Sequence, residues 1–276
     1  MGDLEHDTRV TAVDTGRFTA VPSEDWRIWG PMGGYIAAIA LRAAAAEVVD
    51  GLLPASFTCQ FLAPARFEPV DVVVDVRRSS RRAAAVAVSI TQDGSPILDA
   101  QTWFAAEADL LSHDHAGTGG AGRPEDHPAI RDLTDEGPPF PFWENLDGRP
   151  IGWIDDWQSY PGGEPVWKQW LRFLPRASFD DPVLEACRLV VLADLPSWPA
   201  AIRAYPGDTT FGQFVAPSLD LAVQFHRLAD LGEWLLCSGS APLAERGLIG
   251  FRSEVRTADD RLVASGSGQL LCRSLT

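Results

Sequence analysis

Positive charge is what this chain has least of. Its 23 Lys and Arg are set against 38 Asp and Glu, a formal net charge of −15 over 276 residues. Sequence-independent nucleic-acid binding needs a basic surface, so that class is excluded. A small anionic ligand is not, because a few local arginines can hold one. Long apolar runs are missing too: no stretch reaches the roughly 18 residues of a membrane span. Met1–Arg9 is acidic and polar, where a secretory signal would be basic and then apolar. Cysteine is sparse and scattered. Cys59, Cys187, Cys237 and Cys272 form no CxxC or metal spacing, which reads as buried reduced thiols in a cytoplasmic protein. What the chain does have is apolar substance, 46% of its residues, enough for a large core.

That substance is arranged twice over. Ser56–Phe104 and Asp220–Gln269 carry the same pattern at an offset of about 164 positions, which sets Gln60-Phe61 on Gln224-Phe225. The runs Ala83–Thr91 and Gly247–Thr257 coincide as well. Such self-similarity marks one structural unit used twice.

In the first copy, Thr8–Ala20 reads as a strand. Gly33-Gly34 then opens a helix over Tyr35–Val49, rich in Ala and apolar nearly all round, so it is expected to be buried on most sides. Strands follow over Ser56–Ala63, Val70–Arg77, Ala83–Thr91 and Ile97–Ala106, the last two joined by the turn Gln92–Pro96. Ala108–Pro141, rich in Gly, Pro, Asp and His, reads as an exposed linker. The second copy predicts strands over Ile151–Gln158 and Pro165–Leu174 and a helix over Asp181–Leu195, with Ser178 and Asp180 offering N-caps and Pro182 in the first turn. After the connection Pro196–Phe214 come strands over Ser218–Arg227, Glu233–Ser240, Leu248–Thr257 and Arg261–Arg273. A long helix wrapped by one curved antiparallel sheet is the hotdog fold. The expectation is therefore an α+β double hotdog: residues 1–107 as one unit, 108–149 as linker and 150–276 as the second unit.

Ser218-Leu219-Asp220, Phe225-His226-Arg227, Glu233-Trp234-Leu235-Leu236 and Leu262-Val263-Ala264-Ser265 resemble the bacterial acyl-CoA thioesterase II family. Gly33-Gly34 looks like that family's Gly-Gly signature, and Trp29-Gly30-Pro31 is similar to its shorter thioesterase-like relatives. The resemblance implies hydrolysis of acyl-CoA thioesters by a fold that is often further oligomerised. In such enzymes an Asp, a Thr or Ser, and a Gln surround one water, with no metal, cofactor or covalent nucleophile.

Asp220 matches the family's Asp, and the expected role is to orient or activate the water. The hydroxyl position falls on Pro242, which has no hydroxyl, so Ser240 (or Ser238, of the same strand parity) is the candidate substitute. The Gln position falls on Gly268, and Gln269 follows it. A one-residue offset turns a side chain to the other face unless a bulge near Gly266 or Gly268 restores it. Gly33 and Gly34 are the expected oxyanion and substrate-binding element, through free N–H groups at a helix start. Tyr35 sits one residue inside, near the acyl end of a ligand or in the core. The second helix lacks a Gly-Gly pair, so unlike halves are expected to build one site.

Other features carry less. His113, His115 and His127 lie in the linker without a scaffold for a metal. Arg77, Arg78, Arg81 and Arg82 at a hairpin turn suit either CoA phosphates or solvent. The expected partners are an acyl-CoA and further copies of the chain. The rival reading is an acyl-CoA or lipid-binding double hotdog with little or no turnover, for which Pro242 and Gly268 argue.

Overall fold

A computed structural model of the chain describes residues 1–108, 110–134, 139–207 and 213–275. Parts of the expected linker and of the connection Pro196–Phe214 lie outside the described residues. The first half runs α1 (Leu4–Asp7), β1 (Thr11–Asp14), β2 (Arg17–Ala20), α2 (Gly33–Ala46), β3 (Leu53–Phe61), β4 (Val70–Ser79), β5 (Ala83–Gln92) and β6 (Ser95–Ala105). The second runs β7 (Leu146–Ile151), β8 (Val166–Phe173), α3 (Pro182–Asp194), α4 (Ser197–Ile202), β9 (Phe214–Val215), β10 (Asp220–Phe225), β11 (Leu235–Glu245), β12 (Leu248–Thr257), β13 (Leu262–Leu271) and β14 (Arg273–Ser274).

Among the described residues, twelve strands form one antiparallel sheet in the order β1-β2-β4-β5-β6-β3-β10-β13-β12-β11-β8-β7. Its centre is the seam between the copies, where β3 pairs with β10: Gln60 lies opposite Asp220, and Ser56 opposite Gln224. Since Gln60 and Gln224 are equivalent in the repeat, the seam has the logic of a two-fold axis.

Alternation decides which face is which. Phe57, Cys59, Leu98, Ala100, Leu221 and Val223 are buried against α2 and α3, whereas Thr58, Gln60, Asp99 and Gln101 point to the opposite, outer face. From Gly34 to Ala44 only Arg42 on α2 escapes full burial, and α3 is buried from Leu184 to Asp194. Helices with no polar face thus lie between the curved sheet and each other, as their composition requires.

Several boundaries differ from expectation. The first strand is a hairpin, broken at Gly16 with φ +64°. The strand expected over Ile151–Gln158 lies at Leu146–Ile151, because its pairing with β8 runs from Leu146↔Phe173 to Ile151↔Lys168 and Gly152, with φ +68°, ends it. The N-cap of α3 is Asp181, not Ser178 or Asp180; it accepts the Val183 N–H at 2.8 Å, and Pro182 takes the first helical position. The helix α4 lies in a stretch that its Pro content presents as a plain connection.

Part of the expected exposed linker is a strap pinned to the outer face of the second half. The Gly119 N–H donates to the Asp260 carboxylate at 2.9 Å, and Lys168 Nζ donates to the Gly119 carbonyl at 2.7 Å. Arg256 donates to the Ala116 carbonyl at 2.8 Å, and Ala121 packs with Trp170 and Leu236. Among the described residues the first half has no such cover on its outer face, where Trp103 stays 45% exposed.

Candidate active site

Asp220 is the first residue of β10, and its neighbours across the sheet come from both copies. On one side stands Gln60. On the other stands Gln269, where the register with β13 passes from Ala222↔Ser267 to Ser218↔Leu270. The Gln269 N–H donates to Asp220 Oδ1 at 3.2 Å, and the Leu219 N–H to the Gln269 carbonyl at 2.8 Å. Gln60, Asp220 and Gln269 therefore form a row on the outer face. Leu219, Asp220 and Leu221 face only Gly268 and Gln269, so the register slips by one at this point, with the extra residue on the Asp220 side rather than at Gly266 or Gly268. The register with β10, rather than the distance from Leu-Val-Ala-Ser, decides where Gln269 points. Gly268 faces inward, where a Cβ would come 2.3 Å from the Asp220 carbonyl oxygen and 2.8 Å from the Phe251 ring.

Gln60 and Asp220 line a groove of about 620 Å³ together with Thr58, Arg77, Asp99 and Gln101. Arg77 itself pairs with Asp75 at 3.2 Å. A carboxylate between two amides can take a proton from water and hold the oxygen in place. Gln60 and Asp99 escaped the sequence reading. The repeat pointed to Gln60, since folding two copies about a two-fold axis sets it against Asp220.

Ser240 is not in this row. It lies opposite Arg252 and Val166 on β11, which β13 and β12 separate from β10. Three strand spacings are about 14 Å. Pro242 is exposed in the bulge between Ser240 and Leu243.

The start of α2 is built differently. Met32, its N-cap, supplies no side-chain acceptor. Instead the Gly34 N–H donates to Asp194 Oδ2 at 2.9 Å, across from the last residue of α3. Asp194 Oδ1 accepts the Ser218 hydroxyl at 2.8 Å, two residues before Asp220. Burial pushes the Asp194 carboxyl above the ordinary range, and these two hydrogen bonds pull it back. Burial first, and then the charge of Asp194, pushes the nearby Cys59 thiol up. Gly33 is half-buried, and among the described residues its N–H meets no protein acceptor. Tyr35 is a core residue: its ring stacks on Trp26 at 5.0 Å, and its hydroxyl donates to the Asp7 carbonyl while accepting the Ser23 N–H. Asp194 could have been suspected as the one charge closing the apolar run Leu189–Ala193.

The start of α3 is sealed. Asp181 caps it, Glu185 Oε1 accepts the Phe179 N–H at 2.7 Å, and Arg188 donates to the carbonyls of Ala177 and Gly232. Arg188 Nε and Glu185 Oε2 approach to 3.2 Å without hydrogen-bond alignment, both side chains buried. Burial raises the Glu185 carboxyl and brings Arg188 down to about 10. His226 Nε2 meets Ser265 Oγ at 2.9 Å on the outer face. Trp167 and Trp170 pack into cores.

Two family models match the chain. One describes an acyl-CoA thioesterase N-terminal domain, over residues 22–105; the other describes an acyl-CoA thioesterase C-terminal domain, over residues 124–271. Solved structures share the fold end to end. An acyl-CoA thioesterase II from Mycobacterium marinum superposes with a TM-score of 0.79 at 22% identity, covering 99% of both chains. A protein of unknown function with a hot dog fold from Alicyclobacillus acidocaldarius gives 0.81 at 22%, covering 99% of this chain and 98% of its own. The tesB protein of Mycobacterium avium subs paratuberculosis gives 0.75 at 21%, covering 98% of both. The architecture is the expected α+β double hotdog. No curated protein matches the sequence.

Proposed function

We propose that this chain, which belongs to the acyl-CoA thioesterase family, hydrolyses an acyl-CoA thioester to a free fatty acid and CoA with water activated at Asp220. The observation that carries the reading is the row Gln60, Asp220 and Gln269, drawn from both copies at the seam. Asp220 takes a proton as the water oxygen attacks the thioester carbon, and the flanking amides hold that water. At the end of β3 and the start of β10, where the Phe61 ring next to Gln60 reaches Gly33, the Gly33 amide polarises the carbonyl and steadies the oxyanion. Collapse breaks the C–S bond, and the leaving thiolate recovers the proton. Ser240 has no part in these steps. The sealed start of α3 leaves one site per chain, and the open edges of the sheet at β1 and β7 suit association of copies. A cytoplasmic setting belongs to the same proposal. No helix among the described residues is long and apolar enough to cross a membrane.

The test is steady-state hydrolysis across acyl-CoA chain lengths. Asp220→Ala is expected to lower kcat about 10²–10⁴-fold with the fold intact. Unchanged turnover would place the chemistry elsewhere. The exposed Pro242 favours the rival reading, a binding protein; tight acyl-CoA binding with no hydrolysis at any length would establish it.

A further inference from the structure

Asp194 takes no part in those steps, yet it holds the residue after Gly33 and the residue two before Asp220. Its Oδ2 holds the Gly34 N–H of the first copy at 2.9 Å, and its Oδ1 holds the Ser218 hydroxyl of the second at 2.8 Å. Among the described residues no cation pairs with it; Cys59 on β3 lies within reach of its charge and of that of Asp220 on β10. A buried carboxylate without a counter-ion is costly, and here only two hydrogen bonds and the positive end of α2 offset that cost. The glycine pair makes the contact possible. A Cβ on Gly34 would lie 3.0 Å from Val191 Cα and 3.2 Å from Asp194 Cβ, and one on Gly33 would lie 3.1 Å from Asp194 Oδ2. The end of α3 reaches the start of α2 because neither residue has a side chain.

We propose that Asp194 is a positioning residue, fixing the separation between the Gly33 amide at the carbonyl end and Asp220 at the water end. The assignment rests on the thioesterase reading. With Gly34 engaged by Asp194, Gly33 is the donor left for the substrate oxygen. Ser218, held by the other carboxylate oxygen, anchors the root of the strand that carries Asp220. Misplacement by about 1 Å in such an arrangement costs on the order of 10² in rate.

The experiment compares wild type with Asp194→Ala, Asp194→Asn and Ser218→Ala on an acyl-CoA, measuring kcat, KM and the thermal midpoint. Asp194→Ala is expected to lower kcat at least about tenfold while KM stays within about threefold, because alignment and not affinity is lost. Asp194→Asn can still accept the Gly34 N–H and donate to Ser218 Oγ, and should restore kcat to within about threefold of wild type. Folded Asp194→Ala with wild-type kcat would overturn the assignment. So would Asp194→Asn as slow as Asp194→Ala, which would make the charge itself the active part. If Asp194→Ala does not fold, Ser218→Ala carries the test: a kcat loss of about threefold or more at an unchanged midpoint supports positioning, and no loss overturns it. Wild type inactive on every acyl-CoA sinks the thioesterase reading and this assignment with it. Active wild type with indifferent variants sinks this assignment alone.

Discussion

At the scale of single residues, Asp194 also couples folding to pH. Its folded-state pKa is raised, so the native protein holds the proton more tightly than the unfolded chain. The resulting stabilisation is fully present below the unfolded carboxylate value of 3.8 and is lost as pH rises through the raised folded value. Asp194→Asn cannot ionise. Its thermal midpoint relative to wild type should climb from acid toward neutral pH, and a pH-independent difference would contradict the raised pKa. Gly34 gives a second residue-scale expectation. A methyl group there meets the backbone of Val191 at 3.0 Å, which no rotamer change can relieve. Gly34→Ala should cost about 1–3 kcal/mol of stability, read from denaturant unfolding.

At the scale of elements, the two long helices have opposite fates at their N-termini. The start of α3 is closed by Asp181, Glu185 and Arg188, all supplied by its own helix and cap. The start of α2 is closed only in part, by a residue from the other copy. Arg188→Ala would leave Glu185 buried without its cation and should destabilise the protein by about 3–5 kcal/mol, measured by chemical denaturation. Much at this scale was legible. Period-two runs located most strands, and the Ala-rich composition of α2 announced its burial. Two things were not. The strand at Leu146–Ile151 hides behind Gly148 and Pro150, and only its pairing with Trp170 and Leu171 makes it a strand. The N-cap role of Asp181 depends on where Pro182 enters the helix, and three candidate caps lie within four residues.

At the scale of the whole molecule, the repeat foretold the architecture because each copy must bury its own helix. The site was less legible. Asp220 stood out through its motif, but Gln60 and Gln269 meet it only through sheet pairing, and Asp194 reaches its strand only through Ser218 while bonding Gly34 across 160 positions. The offset of Gln269 along the chain does not keep it from Asp220, whose carboxylate accepts its N–H. The strap belongs to this scale too, because residues 116–121 are bound to β8 and β12 of the second half. The β3·β10 seam has one more consequence. Its hydrogen bonds and the packing of α2 on α3 run between the copies and not along the link that joins them, so the chain has the layout of a heterodimer encoded in one polypeptide. We expect residues 1–107 and 108–276, produced as separate polypeptides, to reassemble across the seam and co-purify one to one. Fragments that stay apart would mean that the covalent link, and not the seam, keeps the halves in register.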